Sequence, residues 1–188
     1  MPIQFYHGNK KVTGSACSFW ITPDKSVMSS MIKQDGWNDA KRLGSFVKNK
    51  KNPKGNIIVK LSQLEIVNMI DALSTSTAVK AVSGDREGFY HQTSKAVTNI
   101  FLEPYQGKGF SYRIIKQEKE DSTNKVSIVI GFNQAEVKLL REFLKFALNK
   151  TFEDGPISAT SNPYSSATEE TEESNLSMDS SVPEEDIW

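Results

Sequence analysis

GNIIVKLSQLEIVNMIDAL, residues 55–73, changes its period in mid-stretch. Ile57, Val59 and Leu61 fall on one side and Lys60 on the other, the two-residue repeat of a strand with one buried face over 56–62. From Ser62 onward the apolar residues recur at every third position: Leu64, Val67, Ile70 and Leu73, with Ile66 and Met69 beside them. That spacing predicts an amphipathic helix over 62–74. Ser62 and Glu65 are placed for a capping box, in which the hydroxyl accepts the third amide and the carboxylate reaches back to the first. The stretch is therefore a strand feeding directly into a capped helix.

The chain on both sides extends this frame. VTGSACSFWIT at 12–22 is rich in β-branched and aromatic residues and stops at Pro23-Asp24, a turn signal, so 25–34 reads as its hairpin partner. DGW at 35–37 breaks the pattern and puts Trp37 in a turn. KRLGSFVKNKKNPKG at 41–55 reads as a short strand entering a basic loop, broken by Asn52-Pro53 and Gly55. Strand patterns return at 86–92, 96–105, 109–118 and 125–132. A second helix follows over 133–152, with a stripe of Val137, Leu140, Leu144 and Leu148 widened by Phe143, Phe146 and Ala147, and with Asn133 and Glu136 as a second capping pair. The order is four strands, helix, four strands, helix: a repeated topology without obvious sequence repetition. Hairpin-joined strands with helices ending each run predict an α+β fold with antiparallel sheets.

Over 12–152 this order resembles the Whirly family of single-stranded nucleic-acid-binding proteins. The likeness is carried by the strand–helix stretch at 55–73, by the paired aromatics of EGFYHQ at 87–92, and by NKVSIVIGFNQAEVKLLREFLKFALNKTF at 124–152. TGSACSFWI at 13–21 stands where the family has a lysine–glycine–lysine–alanine–alanine signature. Gly14 and Ala16 match it, but Thr13 and Ser15 replace the lysines and Cys17 the second alanine, so the roles of that signature do not carry over. The resemblance implies two four-stranded antiparallel sheets packed like propeller blades. It also implies a homo-oligomer, a dimer or a tetramer, held together by the helices.

Composition narrows the function. No apolar run approaches the roughly 20 residues that span a bilayer. The segment MPIQFYHGNKK lacks the apolar stretch of a secretory signal, so a cytoplasmic, nucleoid-associated setting is expected. A single Cys17 excludes an internal disulfide or a cysteine-based zinc cluster, and His7 and His91 are too far apart for a local metal motif. With no phosphate-cradling glycine loop and no recognisable nucleophile motif, neither a cofactor nor an enzymatic activity is expected. The net charge of zero conceals a segregation: residues 1–152 carry 23 cations against 13 acids, and residues 153–188 carry 10 acids and no cation. A body of charge +10 points to a polyanionic partner.

An unpaired nucleic-acid strand exposes both phosphates and flat base faces, so its binder needs cations interleaved with aromatic or apolar side chains. The basic stretch supplies Lys41, Arg42, Lys48, Lys50, Lys51 and Lys54, with Phe46 between them. Alternation sets Arg42, Phe46 and Lys48 on one strand face, and Trp20 and Trp37 lie nearby in sequence. In the second half Phe110, Tyr112 and Lys116 share parity while Arg113 lies opposite; Tyr112 and Lys116 complete the expected binding set. Phe19, Phe89 and Phe101 are expected in the core. Single-stranded DNA is the expected ligand, bound without sequence preference. An RNA-binding or transcription-regulating relative, or an adaptor for an acidic protein, is the alternative.

From residue 153 the sequence EDGPISATSNPYSSATEETEESNLSMDSSVPEEDIW is acidic, rich in Ser and Thr, and poor in large apolar residues. It reads as a disordered tail after a folded domain of 1–152. Its end, with Glu184, Glu185, Asp186, Ile187 and Trp188, resembles the acidic tip of bacterial and phage single-stranded DNA-binding proteins. The resemblance implies a docking tip for replication, recombination or repair proteins, with the tryptophan as its apolar anchor.

Overall fold

The computed structural model describes residues 2–121 and 123–153; the acidic tail beyond Glu153, with its expected tip at 184–188, lies outside them. The first half contains β1 (Ile3–His7), β2 (Ser15–Ile21), β3 (Val27–Lys33), β4 (Gly36–Asn38), β5 (Leu43–Ser45), β6 (Asn56–Leu61) and helix α1 (Gln63–Thr75). The second contains β7 (Phe89–Gln92), β8 (Ala96–Tyr105), β9 (Gly109–Glu118), β10 (Lys125–Asn133) and helix α2 (Gln134–Phe152). Two four-stranded antiparallel sheets result, ordered β1-β2-β3-β6 and β10-β9-β8-β7, with β4 and β5 forming a separate two-stranded arm.

This is the α+β, two-sheet and two-helix architecture expected, with one exchange of parts. The fourth strand of the first sheet is β1, whose five residues IQFYH are too few to show a strand period. The expected strand at 41–55 contributes only β5, which pairs with β4 and not with the sheet. Trp37 accordingly sits in a short strand opposite Gly44, not in a turn.

Both helices carry the capping boxes read from the sequence. The Ser62 amide donates to Glu65 Oε2 at 2.8 Å, and the Asn133 amide to Glu136 Oε2 at 2.8 Å. In α1 the buried side is Ile66, Met69, Ala72 and Leu73, while Leu64 and Val67 are exposed. The three-residue spacing had picked the neighbouring stripe, because both stripes are apolar and only tertiary packing chooses between them. In α2 the buried residues are Val137, Leu140, Phe143, Leu144 and Ala147, as expected, and Phe146 is exposed.

The inner faces of the two sheets and the helices share one core. Cys17, Phe19, Met31, Ile57 and Val59 line it from the first sheet, and Ile100, Tyr112, Ile114, Ile128 and Phe132 from the second. Four aromatic rings join the sheets: Phe5 lies 4.7 Å from Phe132, Phe19 lies 5.6 Å from Tyr112, and Tyr112 stacks on Phe132 at 6.1 Å. Within it the Tyr112 hydroxyl donates to Ser29 Oγ at 3.1 Å, so this buried polar atom is satisfied. Phe19 and Phe89 are buried as expected.

Candidate nucleic-acid interface

Strand alternation sends every second residue of the first sheet outward. Strand register arranges these residues in three rows. Tyr6, Ala16, Ile32 and Asn56 form one; Gln4, Ser18, Ser30 and Ile58 form the next; Trp20, Met28 and Lys60 form the third. The middle row is floored by two serines that are nearly covered, at 6% and 9% exposure, so it lies below the larger side chains on either side. Trp20 and Met28 are half-buried, and Ile58 is exposed. The face is thus a trough with small polar residues at its floor and apolar banks.

The β4–β5 arm builds one bank. Phe46 is buried with Ala16 and Ile32, and the Tyr6 ring meets it edge-on at 5.0 Å. The Tyr6 hydroxyl also donates to the Gly44 carbonyl. Buried Gln34 fixes the root of the arm: its Nε2 donates to the carbonyls of Asn9 at 2.8 Å and Gly36 at 2.7 Å, while its Oε1 accepts from the amides of Asn9 and Gly14. Gly14 is required here, because a Cβ would fall 2.2 Å from the His7 carbonyl and 2.4 Å from Gln34 Oε1.

Beyond the arm lies the lysine loop. Asn49 is held by Asp35 and by the Lys33 carbonyl, at 3.0 and 2.9 Å, and Asn56 Nδ2 donates to the Lys50 carbonyl at 3.0 Å. These side-chain bonds shape the backbone while Lys48, Lys50, Lys51 and Lys54 are exposed. The loop joins β6 at Asn56, and Lys60 lies four residues along the same strand. At the strand rise, cations therefore flank the trough on its two banks at the β6 edge, about 13 Å apart.

The structure brings some expected binding residues together and separates others. Trp20 lies on one bank of the trough, the loop lysines beside the other at β6, and partly exposed Trp37 in the arm with exposed Lys41 and Arg42 at its turn. Phe46 is the first correction: at 3% exposure it supports the bank from beneath and offers no face to a base. Tyr112 is the second: its inward parity seals it in the core at 0% exposure. Burial also pushes its hydroxyl far above the usual tyrosine range, with the neighbouring Cys17 adding to the effect, so it stays neutral. Lys116 is half-buried in the second sheet, between Val126 and Thr98 in register, away from the trough.

Residues that pattern reading missed lie beside these. Tyr6, Met28, Ile58 and Lys60 belong to the trough through strand register, a relation invisible until β1 is recognised. The second sheet has its own outward set. Arg113 lies over the Phe101 ring at 4.8 Å and Arg86 over the Tyr90 ring at 5.1 Å. Phe101 is thus part-exposed and cation-stacked, not a core residue. Between the sheets, Thr13, Gly14, Ser15 and Lys33 line an open cleft facing Ser127 and Val129, and the Ser15 hydroxyl donates to the Val129 carbonyl at 2.6 Å. Among the described residues there is no cluster of potential metal ligands and no helix long and apolar enough to cross a membrane.

Comparison with solved structures fits this architecture. The plant transcriptional regulator PBF-2 superposes with a TM-score of 0.56 at 17% identity, covering 80% of this chain and 81% of its own. WHY3 from Arabidopsis thaliana gives 0.55 at 17% identity, covering 81% and 89%. The fold is the Whirly fold. The trypanosome proteins MRP1/MRP2 also match it, at 0.53 and 15% identity over 81% of this chain and 86% of theirs. No protein-family model and no curated sequence matches the chain. Residues 13–15 run from the wall of the inter-sheet cleft into β2.

Proposed function

We propose that this chain is a non-enzymatic, sequence-tolerant single-stranded DNA-binding protein. The observation that carries the reading is the outer face of the first sheet: a trough banked by Trp20 and Met28 on one side and Tyr6 on the other, with Lys60 on the first bank and the lysine loop beside the second. Bases stack on rings and apolar side chains, and phosphates follow the cations. A double helix hides its base faces, so the trough favours an unpaired strand. The Whirly fold, shared with a regulator of transcription, supports a nucleic-acid role.

The remaining parts of the proposal have separate supports. Exposed Leu64 and Val67 on α1, and Leu139, Phe146 and Phe152 on α2, support a homo-oligomer formed through the helices. The acidic sequence after residue 153 would compete with DNA for the cationic face. Its tip, Glu184 to Trp188, would recruit replication, recombination or repair proteins in the cytoplasm of a bacterium or of a phage-infected cell. The deciding experiment measures binding of a fluorescent oligothymidine against matched duplex DNA and RNA at several salt concentrations. With about six phosphate contacts, log K falls against log salt with a slope of roughly −4. A flat salt dependence, or equal affinity for duplex, rejects the proposal; tighter binding of RNA moves it to an RNA-binding role.

A further inference from the structure

The chain has two histidines, and both stand in the same tripeptide, Phe5-Tyr6-His7 and Phe89-Tyr90-His91. The fold puts these tripeptides in equivalent places. β1 and β7 are each the first strand of a four-stranded sheet and lie at its edge. In both, the phenylalanine is buried in the common core and the tyrosine is exposed on the outer face. The histidine then returns to inner parity and meets a helix. His7 Nε2 lies 2.8 Å from Glu136 Oε1, and His91 Nε2 lies 2.6 Å from Glu65 Oε1. The two glutamates are equivalent as well, each closing the capping box of its helix with its other oxygen. The repeat is short in sequence but matched in place, and it is crossed. The first half's histidine holds the second half's helix, and the second half's histidine holds the first half's helix.

The two pairs differ in burial. Glu65 and His91 are 7% and 28% exposed, against 21% and 38% for Glu136 and His7. A carboxylate as enclosed as Glu65 needs a charged or hydrogen-bonding partner to remain ionised. We propose that the two tripeptides are reciprocal clasps between the halves of a duplicated fold, and that the enclosed pair, His91–Glu65, is a proton-dependent latch on the start of α1.

The titration directions agree with that geometry. Burial works to raise the Glu65 pKa, but hydrogen bonds from His91 and Ser62 outweigh it and hold the carboxyl below its usual range. The hydrogen bond to Glu65 raises the His91 pKa against its own desolvation. Tyr112 of β9 also feels the Glu65 charge, and behind it lies Cys17 of β2; burial keeps both neutral. For His91, a raised folded pKa means stability that is complete below the unfolded value of about 6.5 and lost as pH rises through the folded value. For Glu65, a lowered folded pKa means stability present above its unfolded value of about 4.3 and lost as pH falls through the folded one. The latch is therefore fully closed between about pH 4.3 and 6.5 and opens on the alkaline side as the imidazole loses its proton.

With two histidines in the chain, imidazole Cε1–H resonances of the full-length protein report the latch directly, and His7→Gln assigns them. The His91 midpoint is expected above 6.5 and is expected to fall in Glu65→Gln. A midpoint at or below that value, or one indifferent to Glu65→Gln, overturns the latch. Thermal unfolding supplies the second readout. His91→Gln should lower Tm by several degrees at pH 6 and by less than half as much at pH 8.5; an offset constant with pH would mean packing alone. If that variant does not fold, the wild-type titration still decides. His7→Gln should also lower Tm, and an unchanged Tm would refute the reciprocal clasp.

Discussion

Val12 occupies the left-handed region at φ 56°, a conformation that a β-branched residue adopts only under strain. Its amide donates to the Asn9 carbonyl at 3.1 Å, and the adjoining Thr13 amide to Asn9 Oδ1 at 3.2 Å, so the turn into β2 imposes the geometry. Because Val12 is 40% exposed, Val12→Asn loses little packing and should raise stability by about 1 kcal/mol in chemical unfolding. An unchanged or lower midpoint would mean that its apolar contacts matter more than the backbone strain. Cys17 is at 0% exposure, and burial pushes its thiol far above the usual cysteine range against a weak contact with Ser29. It should resist thiol-specific reagents in the native protein and react only on unfolding; rapid native labelling would show that the inner face of the first sheet opens. Trp20 is the aromatic most directly placed on the trough, and Trp20→Ala should weaken oligothymidine binding by about 1–3 kcal/mol. Unaltered affinity in an equilibrium titration would remove that ring from the interface.

At the scale of elements, the lysine loop and the arm divide the work of the face between charge and shape. Replacing Lys48, Lys51 and Lys54 by glutamine should reduce the salt slope of strand binding by about two, since each phosphate contact contributes about 0.7. A lost affinity with an undiminished slope would assign these lysines a role in loop structure instead. The elements also show what the sequence could reveal. β10 alternates buried and exposed residues without a break, and both helices announce themselves by capping boxes, so their positions were legible. β1 was not: its five residues contain one fully buried side chain, Phe5, and a strand that short has no period to detect. Missing β1 hid the rows of the trough, because register across strands decides which residues are neighbours. Phe46 was misread for a related reason. Its basic neighbours suggested exposure, but the arm folds back and buries it on the outer side of the sheet. In the second sheet, parity grouped Phe110 with Tyr112 correctly, but alternation alone does not say which side faces inward. Only the packing partner does.

For the whole molecule, the helices carry the prediction about assembly. Leu139 and Phe146 are 53% and 51% exposed on the side of α2 that turns away from the core. Changing both to aspartate should reduce the molar mass in light scattering without loss of helical signal; an unchanged mass would exclude this surface as the subunit contact. The crossed clasps have a consequence for the integrity of the chain. The linker between the halves is exposed throughout 82–87 and includes Gly84 at φ 80°, which makes it the natural place for a protease to enter. A nick there would sever the peptide but not the grip, since each fragment would still hold the cap of the other's helix. The two pieces should co-elute on gel filtration and part only in denaturant, as a molecule whose unity no longer requires one continuous backbone.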